Sequence, residues 1–219
     1  MTQPTTPPDY VYSDDVRHDI LRMVPADGKV IGTVGCGRAR TESVLVAQGR
    51  EVHGVDVSAV AIETAATRLT SARVVGIDDE LPFAIASLDG LILADVIEHM
   101  PLAWQRLKTL ATMIRPGGWA VISVPNMRYL SVLYKLVVSG EWEEAPMGIF
   151  DETHVQVMTH RRLRRWCTAA GLELEGWYDL YDYRFFRRNV CRALNIATFK
   201  VFRSFLNSGV QGVFRRKAA

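Results

Sequence analysis

The stretch that decides the fold runs from Lys29 to Ser58. Lys29-Val30-Ile31-Gly32-Thr33-Val34 reads as a short apolar strand, followed at once by Gly35-Cys36-Gly37-Arg38-Ala39. A helix is expected over about 39–48, stopped by Gly49, and a second strand over Glu51-Val52-His53-Gly54-Val55 that ends on Asp56. Two glycines directly after a strand let the backbone turn tightly and approach a ligand closely. An acid at the end of the next strand can accept both ribose hydroxyls of an adenosine-type cofactor. The dinucleotide pattern G-x-G-x-x-G fails, because Arg40 stands at its third glycine. The plain alternative is a β-to-α turn with a solvated Asp56, which leaves the strand–turn–helix–strand–acid order unused.

Working outward, the same alternation continues. Asp14–Met23 reads as a helix before the first strand, and Ser58 is placed to cap a helix running to about Leu69. Strands are expected at 73–76, 89–94 and 119–124, with a helix over 102–114 broken by Arg115-Pro116-Gly117-Gly118. Strands alternating with helices make parallel βαβ units in a sheet covered on both faces, with ligands at the edge where the strands end. The 219 residues, 48% hydrophobic and 23% charged, are enough for one packed domain and exclude wholesale disorder. No apolar run reaches the roughly 18–20 residues that span a bilayer. Residues 1–13 read as a polar, proline-rich leader without a secretory signal, and 14–219 as a single domain. Cys36, Cys167 and Cys191 form neither a disulfide framework nor a zinc motif, which points to a cytoplasmic setting. Charge is uneven. Residues 1–182 hold 24 acidic and 17 basic side chains, a net of −7, whereas 183–219 hold nine basic and no acidic ones. Such a tail can meet phosphates, an anionic membrane or the acidic body of its own fold.

Four segments together resemble the class I S-adenosylmethionine-dependent methyltransferases: Gly35-Cys36-Gly37, Val55-Asp56-Val57-Ser58, Leu81-Pro82-Phe83 and Arg115-Pro116-Gly117-Gly118-Trp119. The resemblance covers about residues 12–180. It implies a Rossmann-like α/β fold, a doubly wound seven-stranded sheet with the last strand antiparallel. Leu172–Tyr181 and Val210–Arg216 would then be the final strands, with 184–206 a helical insertion between them. It further implies S-adenosylmethionine bound by Gly35, Cys36, Gly37, Asp56, Val57 and Ala94, with Arg17 on the cofactor carboxylate and Tyr12 lining the pocket. Asp78 or Asp79 would meet the adenine amino group. Two positions depart from the family pattern: its acid before the glycines is Thr33 here, and its third glycine is Ala39.

Asp95-Val96-Ile97-Glu98-His99 follows the fourth strand at the ligand edge. If a helical turn starts at Asp95, then Asp95, Glu98 and His99 share one face and form a plausible hard-cation site. The alternative is a capping box, since Asp-x-x-Glu has that spacing. Phe150-Asp151-Glu152-Thr153-His154, in a later loop, can bring His154 as a fourth ligand. The arrangement resembles a metal-dependent branch of the family that includes small-RNA 2′-O-methyltransferases and ubiquinone-pathway O-methyltransferases, and implies Mg²⁺ or another divalent metal. A general base is then drawn from His154, His99 and Asp151. Residues 126–158 read as a substrate lid, in which Tyr134, Trp142 and Glu144 are placed to touch an acceptor. The stretch from Gly140 to Thr159 also resembles methyltransferases of glycan assembly, and more narrowly the sugar O-methyltransferase of methylmannose polysaccharide synthesis.

The reading favoured by the sequence is therefore metal-assisted O-methylation of a sugar hydroxyl on a small saccharide. RNA 2′-O-methylation, quinone or catechol O-methylation, and a non-enzymatic cofactor-fold binding protein stand as alternatives. Four arginines in 161–165 and the basic tail are the features that keep a nucleic-acid partner in play; packing against the sheet or a homodimer contact are the other uses of the tail.

Overall fold

The structure, a computed structural model, describes residues 15–77, 79–180 and 188–218, the side chains of 188 and 189 excepted. The leader, Tyr12 and Asp78 lie outside the described residues. Seven strands form one sheet: β1 Val30–Val34, β2 Glu51–Asp56, β3 Ser71–Val74, β4 Leu88–Ala94, β5 Ile114–Pro125, β6 Leu172–Tyr178 and β7 Gly209–Arg216. Their order is β3-β2-β1-β4-β5-β7-β6. The first five run parallel, and β7 runs antiparallel to both β5 and β6. The order reverses between β1 and β4, which is where an open sheet of this kind opens a crevice.

The central strands are apolar on both faces because helices cover both. Along β4, Leu91 and Leu93 point to one core while Ile92 points to the other, the period-two alternation of a strand. Along β5, Ala120, Ile122 and Val124 join the first core, and Trp119 and Val121 join the second. The first core is closed by α4 Ala103–Met113, through Leu107 and Leu110, and by α6 His160–Ala169, through Leu163 and Cys167. The second is closed by α1 His18–Leu21, α2 Glu42–Ala47 and α3 Ala59–Ala65, through Ile20, Leu45 and Ile62. Gly90 is bare because the Trp119 ring lies where its Cβ would be.

The structure shifts several expected boundaries. The helix expected from Ala39 begins at Glu42, because Ala39 adopts φ 55° and a left-handed residue cannot continue a right-handed helix. The third strand lies two residues earlier than expected, at Ser71–Val74. Strand β5 starts at Ile114, which pairs with Leu88; pairing resumes at Trp119 with Gly90, and the Arg115–Gly118 turn is left outside the ladder. The insertion before β7 contains α7 Arg188–Ala197 and α8 Arg203–Leu206. After β5, the expected lid opens with α5 Leu130–Tyr134 and a π turn, Lys135–Ser139. Among the described residues, no helix is long and apolar enough to cross a membrane.

Candidate active site

A cavity of about 570 Å³ opens at the carboxyl ends of β1, β2 and β4. The glycine turn forms its floor. Gly35 and Gly37 have φ of 71° and 50°, and a Cβ at Gly35 would meet Val96 Cγ2 at 2.8 Å, so the chain passes here only as glycine. Asp56 is buried at the end of β2, where Oδ2 accepts from the Gly37 N–H at 2.8 Å and Oδ1 from the Ser58 N–H at 2.9 Å. These bonds hold the carboxylate beside the turn, and Val57 and Ala94 line the same cavity. Cys36 is a buried thiol whose pKa burial pushes up, with Asp56 and Glu42 adding to the effect; it is a wall group, not a nucleophile.

A buried acid stands beside Thr33. Thr33 Oγ1 donates to Glu42 Oε1 at 3.1 Å, and Glu42, on the first turn of α2, is a buried carboxylate in the cavity wall. Burial raises its pKa to about 7. Sequence reasoning passed over Glu42; its signal was a carboxylate three positions before Leu45, on the inward face of the helix. Ala39 keeps the left-handed backbone that a glycine adopts without strain.

Arg17 lines the cavity, but its guanidinium also bridges two acids: Nη2 to Asp19 at 2.7 Å and Nη1 to Asp95 at 2.5 Å. Asp95 does not share a face with Glu98 and His99. Its φ of 53° turns the chain at the end of β4, and its carboxylate accepts from Arg17 and, at 2.7 Å, from Ser123 Oγ. The helical turn starts only at Ile97, as a 3₁₀ turn over Ile97–His99, so the capping-box geometry is absent as well. Asp79 is likewise displaced from its expected role: Oδ2 accepts from the Gly76 N–H at 2.9 Å, and the residue is not part of the cavity wall. In that region Ile77 and Leu81 form the wall.

Glu98, His99 and His154 do come together, with one ligand atom of each within 4.8 Å of the others. The loop carrying His154 is pinned there by backbone bonds, Val155 N–H and Gln156 N–H both donating to the Glu98 carbonyl. Neither carboxylate oxygen of Glu98 is satisfied by a hydrogen bond, although both are fully buried. Burial, reinforced by Asp95, pushes its pKa well up. Neighbours orient both imidazoles. His154 Nδ1 donates to the Ile149 carbonyl at 3.2 Å, which leaves Nε2 directed toward Glu98 Oε1, 3.9 Å away. Thr153 Oγ1 donates to Asp151 Oδ1 at 2.5 Å, so at its 2.8 Å contact with His99 Nδ1 it must accept. His99 Nε2 is then also an open lone pair. Burial, with His154 adding to it, lowers the His99 pKa, which keeps the ring neutral. One carboxylate and two imidazoles with oriented outer nitrogens fit a divalent cation. Asp151, expected as a spare base, stands behind His99 through Thr153, a residue the sequence reading did not single out.

Tyr134, Trp142 and Glu144 do not reach the cavity wall. All three are exposed, and Trp142 packs edge-on to Phe150 at 4.9 Å. Thr153 and Val155 are the parts of the expected lid that line the cavity.

A sheet of this order, with a glycine turn after β1 and an acid closing β2, defines a class I S-adenosylmethionine-dependent methyltransferase. The chain belongs to the methyltransferase-domain family, whose sequence profile matches residues 12–175. Among curated relatives, the ubiquinone biosynthesis O-methyltransferase of Cupriavidus pinatubonensis is 28% identical over 155 residues, covering 67% of this chain and 61% of the relative. The protein of the same name from Azoarcus is 29% identical over 156 residues, covering 67% and 65%. The chain therefore spans less than two thirds of these relatives' lengths. Solved structures with the same fold include an S-adenosylmethionine-dependent methyltransferase from Methanosarcina mazei (TM-score 0.64, 16% identity, 94% of this chain and 100% of that one). A chain from the Haloferax volcanii complex of a methyltransferase with the Trm112 methyltransferase activator is similar too (TM-score 0.64, 18% identity, 93% and 88%).

Proposed function

We propose that this methyltransferase methylates one oxygen of a vicinal hydroxyl pair, as on a catechol or quinol ring, with a divalent cation held by Glu98, His99 and His154. The observation that carries the reading is the buried, unsatisfied Glu98 carboxylate beside two imidazoles whose ring nitrogens lie within 4.8 Å of it. The names of the curated relatives support a quinol-type acceptor. So does the apolar part of the cavity wall that His99 shares, where Met100, Leu110 and Val155 offer little to a sugar's many hydroxyls.

In this reading Asp56 accepts the cofactor's ribose hydroxyls, and Gly35 and Gly37 admit its backbone contacts. Arg17 and Glu42 present opposite charges to its amino-acid end. Bound by these residues, S-adenosylmethionine would supply a methyl on sulfonium sulfur for transfer to the acceptor oxygen, with a neutral thioether as the leaving group. A cation held by Glu98, His99 and His154 would supply Lewis-acid activation of the acceptor hydroxyl. Glu98 contributes the negative charge that a divalent ion requires, and Asp151 orients His99 through Thr153. If the cluster works without a cation, His99 Nε2 is the group that takes the acceptor's proton, with Thr153 and Asp151 behind it. The saccharide reading rests on exposed Trp142 and Glu144, which stand outside the cavity, and comes second. Methyl transfer to paired catechol, saccharide and RNA acceptors tests the assignment. Transfer to catechol alone is expected, and transfer only to a saccharide or to RNA would overturn the acceptor class.

A further inference from the structure

The helix α7 is inside out. Its buried side carries Cys191 and Asn195, whereas Val190, Ala193, Leu194 and Ala197 line a shallow depression on its outer side. The apolar character continues past the helix end. Phe199 and Lys200 both adopt left-handed backbone, with φ of 49° and 63°, and the Lys200 N–H closes on the Asn195 carbonyl at 2.7 Å. That turn thrusts Phe199 into solvent at 93% exposure, with Val201 beside it at 71%. A soluble surface rarely gathers so many large apolar side chains in one short segment.

The location of this surface follows from topology. Strand β7 is antiparallel to β5, and its first residue, Gly209, pairs with Pro125, the last of β5. The β6–β7 connection therefore emerges at the same sheet edge as the cavity. It is fixed there by Asn126, whose Nδ2 donates to the Ser204 and Asn207 carbonyls at 2.7 Å each, and by Arg128, stacked on Phe205 at 4.4 Å. The π turn that follows β5 and α5 is exposed and apolar as well, through Val137 and Val138.

We propose that this edge docks on an anionic lipid surface, with Leu194 and Phe199 entering the headgroup boundary and Arg192 and Lys200 meeting lipid phosphates. Charge selects the partner. Residues 183–219 contain no acid; Arg203, Arg215 and Lys217 are held in ion pairs with acids of the body, and 215–217 lie at the far end of β7, so among the described residues Arg192 and Lys200 are the cations this surface presents. A second copy placed face to face would bring these like charges together, whereas an anionic bilayer attracts them. Both Arg192 and Lys200 are exposed, in reach of headgroups beside an apolar face, the pattern of an interfacial helix. Docking here would place the mouth of the cavity toward the bilayer, where a membrane-dissolved acceptor is found. The inference does not depend on which acceptor is used.

Flotation of the full chain with vesicles tests it, using phosphatidylcholine alone against phosphatidylcholine with phosphatidylglycerol. The chain should float with the anionic vesicles and not with the neutral ones. Leu194→Glu with Phe199→Glu should cut the bound fraction at least about tenfold, while cofactor affinity by calorimetry stays unchanged, showing the fold intact. Arg192→Glu with Lys200→Glu should remove the preference for the anionic lipid. Absence of vesicle binding at low salt, or equal binding by the Leu194→Glu, Phe199→Glu variant, would overturn the proposal. So would a dimer in sedimentation equilibrium that this variant splits, without vesicle binding; the surface would then be a self-interface.

Discussion

Replacing Glu42 by glutamine removes a charge that the fold accommodates poorly, and the cost of that charge is set by pH. In the folded chain burial raises the Glu42 carboxyl to about 7 against an ordinary 4.5. The folded state therefore holds a proton that the unfolded chain has already lost, between those two values. The sign follows: stability from this group is full below 4.5 and falls as pH rises through about 7, after which the loss is constant. At about 1.4 kcal/mol per pH unit the gap amounts to about 3 kcal/mol. Glutamine keeps an oxygen for the Thr33 hydroxyl and does not titrate, so Glu42→Gln should escape this loss. Urea unfolding of both proteins at about pH 5 and about pH 8 reads the effect. The stability difference between variant and parent should move by about 2–3 kcal/mol in the variant's favour across that range. S-adenosylmethionine should reverse the trend at the higher pH, because the ionised Glu42 then faces the cofactor's cationic end. A difference independent of pH would refute the claim that Glu42 is buried as an acid in the cavity wall.

Asp56→Ala should weaken S-adenosylmethionine binding at least about tenfold by calorimetry, since it removes the ribose acceptor and frees the Gly37 and Ser58 N–H groups. Thr153→Val should lower divalent-cation affinity or turnover by about 10–100-fold with cofactor binding intact, because His99 loses the hydroxyl that fixes its tautomer; unchanged values would exclude the relay. His154→Ala should cut methyl transfer by at least about 100-fold while cofactor affinity persists. Gly90→Ala should cost at least about 1–3 kcal/mol in urea unfolding, because the new methyl occupies the space of the buried Trp119 ring.

The sheet, and the glycine turn with Asp56 beside it, were legible because their signals are local. A strand, a two-glycine turn and an acid at the next strand end lie within thirty residues, and the apolar runs of β4 and β5 announce burial on both faces. The grouping of Glu98, His99 and His154 was legible in part. Glu98 and His99 were found by spacing, and His154 by the position of its loop after β5. Asp95 was misplaced because the face-sharing argument assumes a helix from its first residue. The left-handed φ at Asp95 breaks that assumption, and it is held by pairings with Arg17 and Ser123, which are remote in sequence. Glu42 and Thr153 escaped for a similar reason. Their roles are defined by a hydroxyl nine residues away and by an imidazole 54 residues away. Tyr134, Trp142 and Glu144 were chosen for residue type within a segment, and the backbone carries them past the cavity to the exterior.

The claim that Glu98, His99 and His154 act through a divalent cation is met most directly by labelled-methyl transfer to a catechol acceptor, measured after chelation and again after Mg²⁺ is restored. The account predicts transfer that is lost with the chelator and recovered with the ion. Transfer that survives thorough chelation would contradict it, and would leave His99, backed by Thr153 and Asp151, as the base.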